Sequence, residues 1–156
     1  MSVSLQSDDF DISAELDALV AGRTSIGAAV TFTGLTRDMV ADQRIMDMTL
    51  EHYPQMAQAE LERIEAEALT RWPLLEGTRI IHRFGTLVPG DRIVLVITLS
   101  AHRQCAFEAA EFIMDFVKLR APFWKKERTA EGDNQWVDAK DADKRAIERW
   151  QTPNEQ

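Results

Sequence analysis

A chain of 156 residues with 18 basic and 26 acidic side chains, net −8, and 45% hydrophobic residues has room for one domain and its core. That balance excludes a disordered polyanion and a nucleic-acid binder working by bulk charge, so an anionic ligand has to be held locally. The single cysteine, Cys105, excludes an internal disulfide and a thiolate metal cage, and neither a signal peptide nor an apolar run of about 18 residues is visible, so a soluble cytoplasmic protein is expected.

No repeat or linker divides the sequence, and residues 1–156 read as a single domain with flexible ends at 1–10 and 151–156. Ser13 is placed to cap a short helix that runs to Val20 and stops at Gly22. Residues 26–33 (IGAAVTFT) are apolar and β-branched, which predicts a buried strand, and the polar stretch 35–43 reads as a surface loop. Alternation over 46–53 predicts a second strand, ended by Pro54. Between 55 and 72 the apolar residues Ala57, Leu61, Ile64, Ala68 and Trp72 recur at helical spacing, up to the stop at Pro73. Strands follow at 78–87 and 92–100, joined through the Pro89-Gly90-Asp91 turn, and IVLVITL in the second suits the middle of a sheet. A helix over 103–119, a break at Ala121-Pro122, a strand over 123–128, an extended piece around Trp136 and a helix near 141–150 complete the chain. This order predicts an α+β domain with mostly antiparallel strands.

The chemistry concentrates in residues 100–127. His102 and Arg103 open a helix, where capping rules favour acids, and such a pair is tolerated if an anion covers the free N–H groups. Lys118, Arg120, Lys125, Lys126 and Arg128 face only one acid, Glu127, within 118–128, a local excess of basic charge in an acidic chain. A reversal at Ala121-Pro122 can bring Lys118 and Lys125 into one pocket, and strand alternation groups Phe123, Lys125 and Glu127 on one face. Crowded positive charge beside an aromatic wall prepares an amine for acid–base or nucleophilic work. Arg37, with only Asp38 as a local acid, can reach a pocket from its loop. Cys105 falls on the row of Ala109, Phe112 and Phe116 and reads as a buried, inert thiol. His52, His82 and His102 are too scattered for a metal site, His82 reads as a strand-face residue, and the four tryptophans read as core or interface anchors.

The segments VTFTG at 30–34, LEHYPQM at 50–56, HRFG at 82–85, PGD at 89–91 and SAHRQCAFEAAEFIMDFVKLRAPFWKKE at 100–127 closely resemble the catalytic (large) subunit of molybdopterin synthase. The resemblance implies an α/β hammerhead-like fold and a homodimer that binds two small ubiquitin-like sulfur-carrier subunits, making a heterotetramer. It implies that two sulfurs, carried as thiocarboxylates on the partner's Gly-Gly C-terminus, enter cyclic pyranopterin monophosphate to form the dithiolene of molybdopterin. By the same resemblance Lys118 and Lys125 are the catalytic lysines. Arg37, His102 and Arg103 bind the phosphate and pterin, with Lys126 and Glu127 flanking the second lysine. The sequence departs from its relatives at LTRD, where a basic residue often replaces Leu35 or Thr36, and at Lys140, a substrate contact that relatives often make with arginine. The implied anion pocket forms around the His102-Arg103 helix start and is joined by Arg37, with either subunit of the dimer as supplier. Because sulfur arrives on a partner, no catalytic cysteine is required; no metal or other cofactor is expected either.

Two other readings remain open on sequence. One is a non-catalytic module that binds a phosphate ligand and docks a partner, the lysines acting by charge alone. The other is RNA binding through 118–128 with Phe123 and Trp124 stacking, which the acidity of the rest of the chain opposes. Neither nucleic acid nor a membrane is the expected partner.

Overall fold

The computed structural model describes residues 2–132, 134–137 and 141–151. They fold as an α+β domain with two sheets. The first has the order β1 (Val3–Gln6), β5 (Leu75–Arg83), β7 (Arg92–Ser100), β2 (Ala28–Leu35). Its pairs are antiparallel except β1 with β5. The second contains β3 (Met39–Val40), β4 (Gln43–His52), β8 (Phe123–Thr129) and β9 (Asn134–Val137), with β6 (Gly85–Leu87) paired to β4, and is antiparallel throughout. The helices are α1 (Ile12–Val20), α2 (Pro54–Arg71), α3 (Arg103–Arg120) and α4 (Asp141–Ala146), followed by a 3-10 turn over Ile147–Trp150. None of the described helices is long and apolar enough to cross a membrane.

The run IVLVITL is apolar because β7 is covered on both faces. Val94 and Val96 pack with Leu61, Ile64 and Ala68 of α2 and with Ala109, Phe112, Ile113 and Val117 of α3. Leu95, Ile97 and Leu99 point the other way, into a cluster with Phe10, Ile81 and the α1 residues Ile12, Leu16 and Leu19. Period-two alternation thus divides one strand between two cores. Among the tryptophans, Trp72 is fully buried, Trp150 packs edge-on against it at 5.7 Å, and Trp136 is exposed.

Several elements differ from the sequence expectation, each for a physical reason. The start of the chain is a strand: Val3 is buried in the main core, and Ser2 Oγ donates to Glu65 Oε1 at 2.6 Å. Glu65 Oε2 accepts from Thr78 Oγ1 at 2.7 Å, so one carboxylate ties the N-terminus, α2 and β5 together. Helix α1 is capped by Asp11, whose Oδ1 accepts from the Ala14 N–H at 3.0 Å, and Ser13 lies inside the first turn. The expected loop at 35–43 contains the two-residue β3, which turns back into β4. The expected strand over 78–87 is two strands in two sheets. Gly85, at φ +91°, makes the change of direction, so HRFG is the crossing point between the sheets. At the C-terminal end, residues 152–156 lie outside the described residues.

Placing an unpaired carboxylate at the Val3 position buries a charge in the main core. Val3→Asp is expected to cost at least ~3 kcal/mol in chemical denaturation, and a cost near zero would show that β1 is peripheral.

Candidate functional site

Both sheets and the C-terminal end of α3 border a cavity of about 550 Å³. Strand β8 supplies one wall. Phe123, Lys125 and Glu127 alternate inward and line the cavity, facing Leu50 and Met48 of β4 through the pairs Leu50 with Lys125 and Met48 with Glu127. Glu127 is 3% exposed, and its Oε1 lies 3.5 Å from Lys125 Nζ. That separation is an ion pair and not a tight hydrogen bond, so the ammonium keeps donors for a ligand. Lys118 enters from the last turn of α3, where buried Met114 and Val117, one turn and one residue before it, anchor the helix.

The basic excess in 118–128 divides by partner. Arg120 bonds Glu60 at 2.7 Å and Glu67 at 2.8 Å, joining α3 to α2. Arg128 pairs with Asp47 at 2.8 Å. Lys126 points to the opposite face of β8, with Nζ 5.4 Å from the Trp136 ring centroid, and does not line the cavity. Lys118 makes no ion pair among the described residues. The cavity therefore receives Lys118 and Lys125, from two elements, with Glu127 beside the second.

Arg37 reaches the same cavity from the loop after β2. Its position is set by the PGD turn. Gly90 N donates to the Thr36 carbonyl at 2.8 Å and Thr36 N donates to the Asp91 carbonyl at 2.9 Å, clamping the residue next to Arg37. Asp91 Oδ2 accepts from Val88 N at 2.9 Å, and Gly90 sits at φ +93°, where a side chain would be strained.

His102 and Arg103 lie elsewhere. They border a separate hollow with Gly27, Ala101 and Gln104 at the start of α3, exposed, with no acid in the first turn and no side-chain cap. A helix rises 1.5 Å per residue, so Arg103 and Lys118 sit about 22 Å apart along α3. Within one chain the structure does not bring the His102-Arg103 pair to Arg37. Lys140 lies outside the described residues; Val137 and Asp143, on either side of it in the chain, line the cavity.

His82, which the sequence marks as a strand-face residue and not as a site residue, also lines the cavity. Its ring is 7% exposed, stacks on Phe123 at 4.0 Å, and places Nδ1 2.8 Å from the Arg83 carbonyl. Burial pushes its pKa down to about 4, partly opposed by the Arg83 hydrogen bond and assisted by nearby His52. Periodicity marks His82 only as a strand residue; the one available signal was its place just before a sheet-changing glycine. Cys105 is buried in the core, and burial pushes its thiol up, away from the reactive thiolate. Among the described residues, no group of three or more His, Cys, Asp or Glu side chains is arranged to hold a metal ion.

The family model described as "MoaE protein" matches residues 5–120. A protein named molybdopterin synthase catalytic subunit from Mesorhizobium japonicum is 52% identical over 155 residues, covering 99% of this chain and 96% of its own. The solved molybdopterin biosynthesis MoaE protein from Burkholderia ambifaria superposes with a TM-score of 0.82 at 46% identity, over 97% of this chain and 98% of that one. At 20% identity, the fold is shared with a chain in the complex of subunits 1 and 2 of molybdopterin-converting factor from Helicobacter pylori, with a TM-score of 0.71 over 90% of this chain and 92% of that one.

The depressed His82 value has a consequence for stability. Above pH 6.5 the imidazole is neutral whether folded or not, while between 6.5 and about 4 the unfolded chain takes up a proton that the folded chain refuses. Stability therefore falls as pH drops through this window, by about 3 kcal/mol from this group. Denaturation free energies between pH 7 and 4 should decline more steeply in the native protein than in His82→Phe; parallel curves would show that the ring is not held neutral.

Proposed function

We propose a function from one premise: the chain belongs to the MoaE protein family. It is the catalytic subunit of a molybdopterin synthase, an enzyme of molybdenum cofactor biosynthesis. The reaction inserts two sulfurs, carried as thiocarboxylates on the C-terminus of a small ubiquitin-like partner, into cyclic pyranopterin monophosphate. The observation that carries this reading is that Lys118 and Lys125, from a helix end and a separate strand, line one cavity. Its volume, about 550 Å³, suits a small ligand together with the end of an extended peptide.

The roles follow from the chemistry. Arg37 offers a guanidinium to the phosphate at the cavity rim. Lys118 and Lys125 stabilise the negative charge that develops as a sulfur leaves the carrier's acyl group for the substrate, and an uncharged amine at either position can move the accompanying proton. Glu127 holds the Lys125 ammonium in place from a buried position. Lys126, on the opposite face, serves the strand edge near Trp136 and not the reacting centre.

The small carrier is the partner because sulfur has to be delivered and Cys105 is buried in the core. The Helicobacter structure is a complex of subunits 1 and 2 of molybdopterin-converting factor, which supports a heterotypic assembly. His102 and Arg103 serve the phosphate of a second copy's cavity, since about 22 Å of rigid helix separates them from the lysines of their own chain. The assembly is then a homodimer of this chain with a carrier on each side, a heterotetramer.

Supplied with thiocarboxylated carrier and cyclic pyranopterin monophosphate, the chain should yield the dithiolene product. Lys118→Ala should lower turnover by about 100-fold or more at an unchanged melting temperature, because the side chain is exposed and unpaired. Lys125→Ala should lose turnover and also about 1–3 kcal/mol of stability, since it leaves the Glu127 carboxylate without its cation. Full activity in both variants would remove the enzymatic reading.

A further inference from the structure

His82 lines the cavity but has no part in the reaction as described above. Its ring lies flat on Phe123, with planes 13° apart. Phe123, Lys125 and Glu127 follow one another along one face of β8 at steps of about 7 Å, so the stacked imidazole stands at one end of a row with Lys125 in the middle and Glu127 at the far end. One ring nitrogen is fixed. The Arg83 carbonyl 2.8 Å from Nδ1 can only accept, so Nδ1 carries the proton and donates it. In the neutral ring Nε2 then bears a lone pair, and no hydrogen bond from a described residue reaches it.

Several other buried polar side chains are satisfied within the protein. Thr98 donates to the Ala106 carbonyl at 2.6 Å, Ser100 to the Leu74 carbonyl at 3.3 Å, and Glu65 accepts two hydroxyls. A phenylalanine would fill the His82 space and stack as well without a dangling acceptor. Thr36 Oγ1, in another residue that lines the same cavity, is buried without a partner. Two polar atoms of cavity-lining residues, His82 Nε2 and Thr36 Oγ1, thus accept no hydrogen bond from a described residue, and a ligand can complete them.

We propose that His82 is a substrate-binding residue whose Nε2 accepts a hydrogen bond from an N–H of the substrate's pterin ring. The inference rests on the molybdopterin synthase reading and adds to it the recognition of the heterocycle. A cyclic phosphate anion has no proton to give, whereas the edges of a reduced pterin carry several N–H donors, so this acceptor sorts the two ends of the substrate. The phosphate goes to the cations, the N–H edge to His82, and the carbons that take up sulfur lie between them, beside the lysines. His82 orients the substrate and exchanges no proton with it.

The test uses the intact protein with ¹⁵N-labelled histidine. Binding of cyclic pyranopterin monophosphate should displace the His82 Nε2 resonance, and inorganic phosphate alone should leave it in place. His82→Phe, which keeps the stack and loses the acceptor, should raise KM for the pterin by about tenfold or more with a smaller change in kcat, and His82→Gln, which restores an acceptor, should recover part of the loss. Inorganic phosphate should bind all three proteins alike. An Nε2 resonance unmoved by the pterin, or a folded His82→Phe protein with the native KM, overturns the proposal; if that variant does not fold, the resonance decides. Lys118→Ala separates the two levels of the account. If it is inactive while His82→Phe is unaffected, only the role of His82 falls; if it and Lys125→Ala are both fully active, the synthase reading falls.

Discussion

Helix α3 is packed along its whole length, and the arrangement of functional groups depends on that. Cys105, Ala106, Ala109, Ala110, Phe112, Ile113, Met114 and Val117 are buried along its length, wedged between the first sheet and α2. Small residues early in the helix allow close approach to β7, where Thr98 Oγ1 reaches the Ala106 carbonyl. Arg120 locks the far end to Glu60 and Glu67 of α2. A helix packed this way transmits position faithfully from one end to the other. Its two chemically interesting ends are therefore held about 22 Å apart, a separation no small substrate spans.

The cavity at the C-terminal end shows how an acidic chain makes a place for an anion. The cations near it are sorted by their partners: Arg120 and Arg128 are neutralised by acids of α2 and β4, and Lys126 lies over an indole on the outer face. Lys118, Lys125 and Arg37 face the cavity. Glu127 belongs to this economy of charge, because a nearly buried carboxylate beside Lys125 fixes the ammonium while leaving donors unfilled. The PGD turn does the equivalent for Arg37 through backbone bonds to Thr36, which explains why a turn remote in sequence matters to the site.

Much of this was legible in the sequence, wherever a single local pattern decided the outcome. The apolar run of β7, the helical spacing of α2 and α3, and the alternation that puts Phe123, Lys125 and Glu127 on one face are properties of short windows. The misses are non-local. VSLQ becomes a strand because β5 offers a parallel edge and α2 offers Glu65, neither of which a terminal tetrapeptide announces. The stretch 78–87 reads as one strand until Gly85 sends its last residues to the other sheet. His82 becomes a cavity residue only through stacking on Phe123, some forty residues away in the chain. The separation of the two ends of α3 was in principle readable from helix length alone, and it turns a single pocket containing Arg37, His102 and Arg103 into a question of two chains.

The central claim is that each site draws its lysines from one chain and its His102-Arg103 anion grip from another. It is tested most directly by co-expressing Lys118→Ala and Arg103→Ala chains with different tags and assaying the doubly tagged dimer with thiocarboxylated carrier and the cyclic pterin. Each parent homodimer has a lesion in both sites, whereas the mixed dimer collects both lesions in one site and leaves the other whole. The account predicts about half the native activity per mixed dimer, from one intact site of two. A mixed dimer as inactive as its parents would contradict it.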